Sequence, residues 1–196
     1  MVLPEGRLVL PFWGDQSPDP DRQVIMRSGA LRVAISDDRG QTFRHIEVAT
    51  VPPGESLGAG FPILTMDDAG ALHLAHMDAE GHIQVRTSAD QAETWSEPVR
   101  WSGERPSGFG VWAHAAGGVL SVMYPEAQTG DIVLMRGRVT DGAAGGPTQR
   151  AVVARGIGVS GDFPHFAGLA DGRIVATWRD PGAIYVSIGP EPPAPA

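Results

Sequence analysis

The chain has 196 residues, 42% hydrophobic and 19% charged, with a formal net charge of −8. That length supports one sizeable core, and the acidic balance argues against nucleic acid or an anionic membrane surface as a general partner. There is no cysteine, which excludes disulfides, thiol catalysis and cysteine-ligated metal, and no run of about 18 apolar residues reads as a membrane span.

The elements predicted in chain order are all strands; no window of about 11 residues keeps a 3.6 period. Met1 to Arg7 has neither a basic n-region nor an apolar h-region, and the chain opens almost directly into a strand, as a piece of a longer protein would. Gly6 to Asp15 carries a first alternating run, and Gln16 to Arg22 reads as an irregular loop. Leu31 to Ile35 and Arg44 to Val48 alternate on either side of the polar octet Ser36 to Phe43, the pattern of a β-hairpin. Three later segments repeat the form of Gly6 to Asp15: a glycine, an alternating apolar run, an aromatic or histidine, then an acid. They are Gly70 to Asp78, Gly118 to Glu126 and Gly172 to Asp180, and the four glycines lie 64, 48 and 54 residues apart. Each of these three follows a short strand that begins near an aromatic, at Phe61, Phe109 or Phe163. Each precedes a further strand, at Ile83 to Arg86, Asp131 to Met135 or Ala183 to Ser187.

A second octet, Ser88 to Trp95, begins 52 residues after Ser36, a spacing suited to the four-stranded units of a propeller. Lettering the strands of a unit A to D from the centre outwards, residues 7–49 supply B, C and D of a first blade. Residues 62–100 supply a complete second blade. Residues 109–154 supply a third, whose C–D turn is Thr140 to Gly146, and residues 163–188 supply A, B and C of a fourth. The propeller is expected over residues 1–189. Residues 190–196 read as a proline-rich, polyproline-like disordered tail, standing where another D strand would begin.

The octets carry a resemblance. Ser36, Asp38, Gly40, Thr42 and Phe43, and again Ser88, Asp90, Thr94 and Trp95, resemble the Asp box (Ser-x-Asp-x-Gly-x-Thr-Trp/Phe) of the sialidase, or neuraminidase, superfamily, also called BNR repeats. The first copy matches fully. The second has Ala92 where the motif has glycine, so its turn is expected to be strained or differently shaped. The resemblance implies a six-bladed propeller, of which about four blades are present. Two architectures fit: an incomplete propeller whose missing blades come from another chain or were lost, which is preferred, and a small closed ring in which the first blade borrows a strand. An open arc would leave a bare sheet edge and apolar faces that invite self-association or a longer parent chain.

Antiparallel connectivity puts the octets at one end of each blade and the B–C loops at the other. The B–C end is where a sialidase-like propeller binds its ligand, so the fourfold pattern gathers Trp13, Asp15, His76, Asp78, Tyr124, Glu126, Trp178, Arg179 and Asp180 around one mouth. Aromatics offer flat apolar faces to sugar rings, and carboxylates accept hydroxyl hydrogen bonds or run acid/base chemistry. Arg179, Asp180 and Asp78 are the catalytic candidates; Trp13, Asp15, His76, Tyr124, Glu126 and Trp178 are the ligand-binding ones. Asp171-Gly172-Arg173-Ile174 followed by Arg179 matches the family's pattern for one substrate-binding arginine. The family's glutamate falls on Phe163, however, and its Arg-Ile-Pro motif is absent, so a working sialidase site within this chain alone is not expected. Tyr185 reads as core, and Trp95, Trp101 and Trp112 as wedges between blades. His73 and His76 are three apart on a strand, so they point to opposite faces and read as surface and loop histidines, not a metal pair. No cofactor or metal is expected. Three functions compete: a carbohydrate-binding module, an exo-sialidase-type glycoside hydrolase completed by further blades, and a structural or protein-interaction propeller.

Overall fold

The computed structural model describes residues 1–14, 30–50, 61–103, 111–156, 165–168, 173–180 and 183–190. Over these it is built from strands alone, in four consecutive antiparallel sheets. The first sheet contains β1 (Leu8–Gly14), β2 (Ala30–Ser36) and β3 (Arg44–Ala49) in that order. The second contains β4 (Ile63–Met66), β5 (Leu72–Met77), β6 (Ile83–Ser88) and the short β7 (Val99–Arg100). The third is built on β8 (Trp112–Ala116), β9 (Val119–Pro125) and the long β10 (Ile132–Thr140). The end of β10 pairs with β11 (Ala143–Ala144) and its first half with β12 (Gln149–Ala154). The fourth contains β13 (His165–Gly168), β14 (Arg173–Asp180) and β15 (Ala183–Pro190). This is the all-β architecture of a partial propeller with about four blades.

The sheets stand side by side, and the apolar alternation explains why. Val9, Leu31, Val33 and Ile35 of the first sheet pack against Leu72 and Leu74 of the second. The next residues along β5, Ala75 and Met77, point the other way and pack with Leu120, Val122 and Tyr124 of the third sheet. Met123, Ile132 and Leu134 then face Phe166 and Ala176 of the fourth. A strand's successive side chains leave on opposite faces, so β5 and β9, flanked on both sides, are buried at every position. That is why these runs are nearly continuous in apolar residues. The first strands of neighbouring sheets line up, β4 beside β8 and β8 beside β13. Trp95, Trp101 and Trp112 fall in three different inter-sheet cores.

Residues 1–3 add a piece that the sequence pattern leaves out. Met1 exchanges backbone hydrogen bonds with Val9, at 2.9 and 3.0 Å, and Val2 bridges Leu8. This short stub lies along β1, and Leu3 reaches the first inter-sheet core, 3% exposed.

The two octets close the turns after β2 and β6 with the same bonds. Ser36 Oγ donates to Asp38 Oδ1 (2.8 Å) and accepts the Gly40 N–H (2.7 Å), while Asp38 accepts the Thr42 N–H (2.9 Å) and hydroxyl (2.6 Å). Ser88, Asp90, Ala92 and Thr94 repeat the set at 2.8, 2.9, 2.9 and 2.5 Å. The Thr42 hydroxyl and N–H, with Ser36, hold the Asp38 carboxyl down at about 2. The turn needs two consecutive residues at positive φ: Arg39 at 59° with Gly40 at 87°, and Gln91 at 61° with Ala92 at 75°. The second turn therefore keeps the shape of the first and carries the strain.

Ala92 is tolerated because its methyl is fully buried in the core between the first and second sheets. Left-handed φ costs a non-glycine residue roughly 1–2 kcal/mol. Glycine instead loses roughly 0.5–1 kcal/mol of backbone entropy and about 0.8 kcal/mol of methyl burial. Ala92→Gly is therefore expected to shift stability by less than about 0.5 kcal/mol. At Gly40 a Cβ would sit 3.2 Å from Leu8 Cδ1, so Gly40→Ala adds crowding to strain and should cost about 1–2 kcal/mol. Urea unfolding of the two variants checks the asymmetry.

Arg7 ties the two octets together. It donates to Asp37 (2.7 Å), to the Gln91 carbonyl (3.1 Å) and to Glu93 (2.8 Å), and Arg44 also pairs with Glu93. The third sheet has a tighter turn at the corresponding place. Asp141 and Gly142, at φ 51° and 72°, make the two-residue turn that Asp-Gly favours between β10 and β11.

The edge strand β15 departs from expectation. Tyr185 is 44% exposed, and Ile184, Val186 and Ile188 are 79%, 61% and 57% exposed. Ile184, Val186 and Ile188 lie on the face that a further sheet would cover, and none of the described residues covers it; Tyr185 lies on the other face, beside Trp178.

Candidate functional site

The expected mouth residues sit at the end of β1 in the first sheet and where the second strand turns into the third in the other sheets. Asp15 lies outside the described residues, and the other eight divide into three environments.

Trp13, at the end of β1, packs on the first inter-sheet core with its ring edge-on to His76, centroids 6.0 Å apart. His76 is 4% exposed; its Nδ1 lies 3.3 Å from the Met77 carbonyl, and its Nε2 has no hydrogen-bond partner among the described residues. Burial, reinforced by the Arg86 charge, pushes this imidazole down to about 4. His73 is 1% exposed, with Nε2 3.1 Å from Asp67 and Nδ1 3.1 Å from the Thr87 hydroxyl. Both histidines are thus interior, which corrects the surface-and-loop expectation. They do point to opposite faces, but in a sheet flanked on both sides each face is inside.

His76 gives a pH expectation. Its folded pKa lies below the ordinary 6.5, so the unfolded chain takes up the proton first. Stability is then complete above about pH 6.5 and declines as pH falls towards 4. His73, lowered by burial against the opposing effect of Asp67, acts in the same direction. Urea midpoints measured from pH 7 to 4 should fall, and His76→Gln should flatten part of that fall.

Asp78 opens the β5–β6 turn, accepting the His82 N–H at 2.7 Å and Gln84 Nε2 at 2.6 Å. Asp78, Glu80 and His82 offer donor atoms within 4.8 Å of one another, a set that could hold a cation. In the third sheet, Tyr124 is 1% exposed inside the core between the second and third sheets. Glu126 is 6% exposed and bound through both oxygens to Arg150, at 3.2 and 2.7 Å, with the Thr129 hydroxyl at 3.2 Å. The Glu126 carboxylate in turn raises the Arg150 pKa. These two residues support the β9–β10 turn from within and do not meet solvent as the repeat pattern leads one to expect.

Trp178 is half-buried and stacks on Tyr185, centroids 6.0 Å apart and planes 9° from parallel. The two are directly paired across β14 and β15, and Tyr185 leaves one aromatic of the pair in water. Arg179 and Asp180 end β14 opposite Ile184 and Ala183; only their backbone positions are described. Sequence reading missed Tyr185, Arg150 and Gln84. The signal for Tyr185 is its cross-strand register with Trp178, which requires the length of the β14–β15 turn.

Two clefts, of about 250 and 260 Å³, lie at the opposite end. One is lined by Asp67, Asp68 and Asp141 between the second and third sheets, and the other by the first octet. Asp38 in the latter is already engaged by Ser36 and Thr42.

No family model matches the chain, and no curated protein does. Solved structures do. The NanB sialidase of Streptococcus pneumoniae aligns with 91% of this chain at TM-score 0.64 and 19% identity, using 26% of its own length. The intramolecular trans-sialidase of Ruminococcus gnavus, in complex with oseltamivir carboxylate, aligns with 88% at TM-score 0.58 and 18% identity, using 36% of its length. A protein of unknown function from Dyadobacter fermentans aligns with 94% at TM-score 0.63 and 19% identity, using 50% of its length. At these identities the likeness is one of fold: the sheets are arranged as in part of a sialidase propeller. The chain spans half or less of each of these structures.

Proposed function

We propose that the chain is a sialidase-like Asp-box propeller module that recognises carbohydrate at the end of the sheets opposite the octets. The Trp178–Tyr185 stack carries this reading. A near-parallel aromatic pair, part-exposed at the β14–β15 turn, offers the flat apolar surface on which a sugar ring packs. Arg179 and Asp180 follow it directly in the chain, and Asp78 and Trp13 occupy the corresponding ends of their sheets. The fold likeness to sialidases agrees with such a ligand.

Binding is favoured over catalysis because Tyr124 and Glu126 are taken up by the core and by Arg150. The test is a glycan array on the chain, repeated with Trp178→Ala and Tyr185→Ala. Each variant is expected to weaken binding about tenfold, or about 1.4 kcal/mol, and an empty array for the parent chain would end the reading. The alternative, an exo-glycosidase completed by further blades, rests on Arg179 and Asp180. Release of fluorophore from a sialoside by the chain, abolished in Arg179→Ala, would establish it.

A further inference from the structure

The Trp178–Tyr185 stack has an aromatic neighbour. Trp112 opens β8 and His165 opens β13, adjacent strands of the third and fourth sheets, and their rings lie 4.2 Å apart at 53°. Trp112 is paired with Met123, and His165 with Thr177, next to Trp178, so both stand at the end of the sheets opposite the octets. Trp112 and Trp178 pack on one core, the one between those two sheets, and both are part-buried. Further along the same strands, a Cβ on Gly168 would come within 2.9 Å of His114 Nε2. Bare backbone there lets β13 close on β8, which holds the Trp112 and His165 rings together.

These two pairs differ from the aromatics at the other junctions. Trp13 meets a histidine that is 4% exposed, and Tyr124 is itself 1% exposed. At the junction of the third and fourth sheets each pair keeps a ring in water: His165 is exposed, and Tyr185 is 44% exposed. From β13 to β15 is two inter-strand spacings, about 10 Å, which is longer than one pyranose ring. The surface is a track along one junction. Resting on the carbohydrate reading, we infer that the ligand is a linear oligosaccharide of at least two rings. One ring packs on Trp178 and Tyr185 and the next on Trp112 and His165, crossing from the fourth sheet to the third. Each pair supplies an aromatic surface, and the linkage between the sugars makes binding of the second ring an intramolecular event.

The test is titration calorimetry on the whole chain with cello-, chito- and oligosialic acid series, each as the mono-, di- and tetrasaccharide. In a series that binds, the disaccharide should bind at least about tenfold more tightly than the monosaccharide. Trp112 packs on the core, so the deciding variant is His165→Ala, at an exposed position, with its fold checked by circular dichroism. It should shrink the disaccharide's advantage to about twofold, whereas Tyr185→Ala should weaken every member of the series. Equal affinity for mono- and disaccharide in the parent chain, or an undiminished advantage in His165→Ala, overturns the inference and leaves the carbohydrate reading standing. Failure of all three series at every length overturns it too, and the glycan array then decides whether the wider reading falls with it.

Discussion

Trp101→Ala is expected to lower unfolding free energy by about 3–5 kcal/mol. Trp101 is fully buried in the core between the second and third sheets, and its backbone N–H is held by the Ile83 carbonyl at 2.8 Å. Its ring lies against the bare backbone of Gly137 in β10: a Cβ there would come within 2.9 Å of the ring and 2.7 Å of the Gly146 carbonyl. Gly137→Ala should therefore also destabilise, by about 3 kcal/mol, near the upper end for forced overpacking. The two residues share one space, so the double variant should lose less than the sum of the singles. Trp101→Phe should be the mildest change. It keeps an aromatic ring and removes an indole N–H that is buried without a partner among the described residues. Urea denaturation of the four variants decides the point, and additive losses would mean that the ring and the glycine do not share this contact.

The second large effect is expected at Asp67, 6% exposed in the turn between β4 and β5. One carboxylate oxygen accepts the N–H groups of Ala69 and Ala71, at 3.0 and 2.9 Å, and the other lies 3.1 Å from His73 Nε2. With His73 donating there, its Nδ1 accepts from the Thr87 hydroxyl, whose oxygen accepts the Ala144 N–H at 3.2 Å. The chain of bonds thus runs from a turn in the second sheet to a strand in the third. Asp67→Ala strands two N–H groups and a buried imidazole and should cost about 2–4 kcal/mol. Asp67→Asn keeps an acceptor for the turn and lets His73 change tautomer, so it should recover more than half of that loss. Thermal melts of both variants provide the check, and equal losses would show that the carboxylate charge, not the acceptor it offers the turn, carries the energy.

What could be read from the residues was local. The octets are recognisable because the side chains of Ser36, Asp38 and Thr42 bond within the turn itself, so the motif needs no distant partner. The two-sided apolar runs at Leu72 to Met77 and Val119 to Pro125 likewise announced strands. Interior and exterior were less legible. Reading His73 and His76 as surface and loop residues from their opposite faces on a strand, and placing His76 and Tyr124 at the mouth from the fourfold repeat, both take each sheet to have a wet face. Side-by-side packing removes that face in the middle sheets, whereas β15 keeps one and exposes Ile184, Val186 and Ile188 on it. The Glu126–Arg150 pair and the Arg7–Glu93 contact join residues 24 and 86 positions apart. Local pattern carries no trace of such pairs.

Among the described residues, each inter-sheet core draws its side chains from the two sheets that flank it and from the turns and stub attached to them. Cohesion is therefore a nearest-neighbour property, more like a row of books than a ball of string. A sheet gained or lost at either end changes a single junction and leaves the interior untouched. Architectures of this kind can vary in blade number by duplication or deletion of one roughly fifty-residue unit, with no need to redesign the rest.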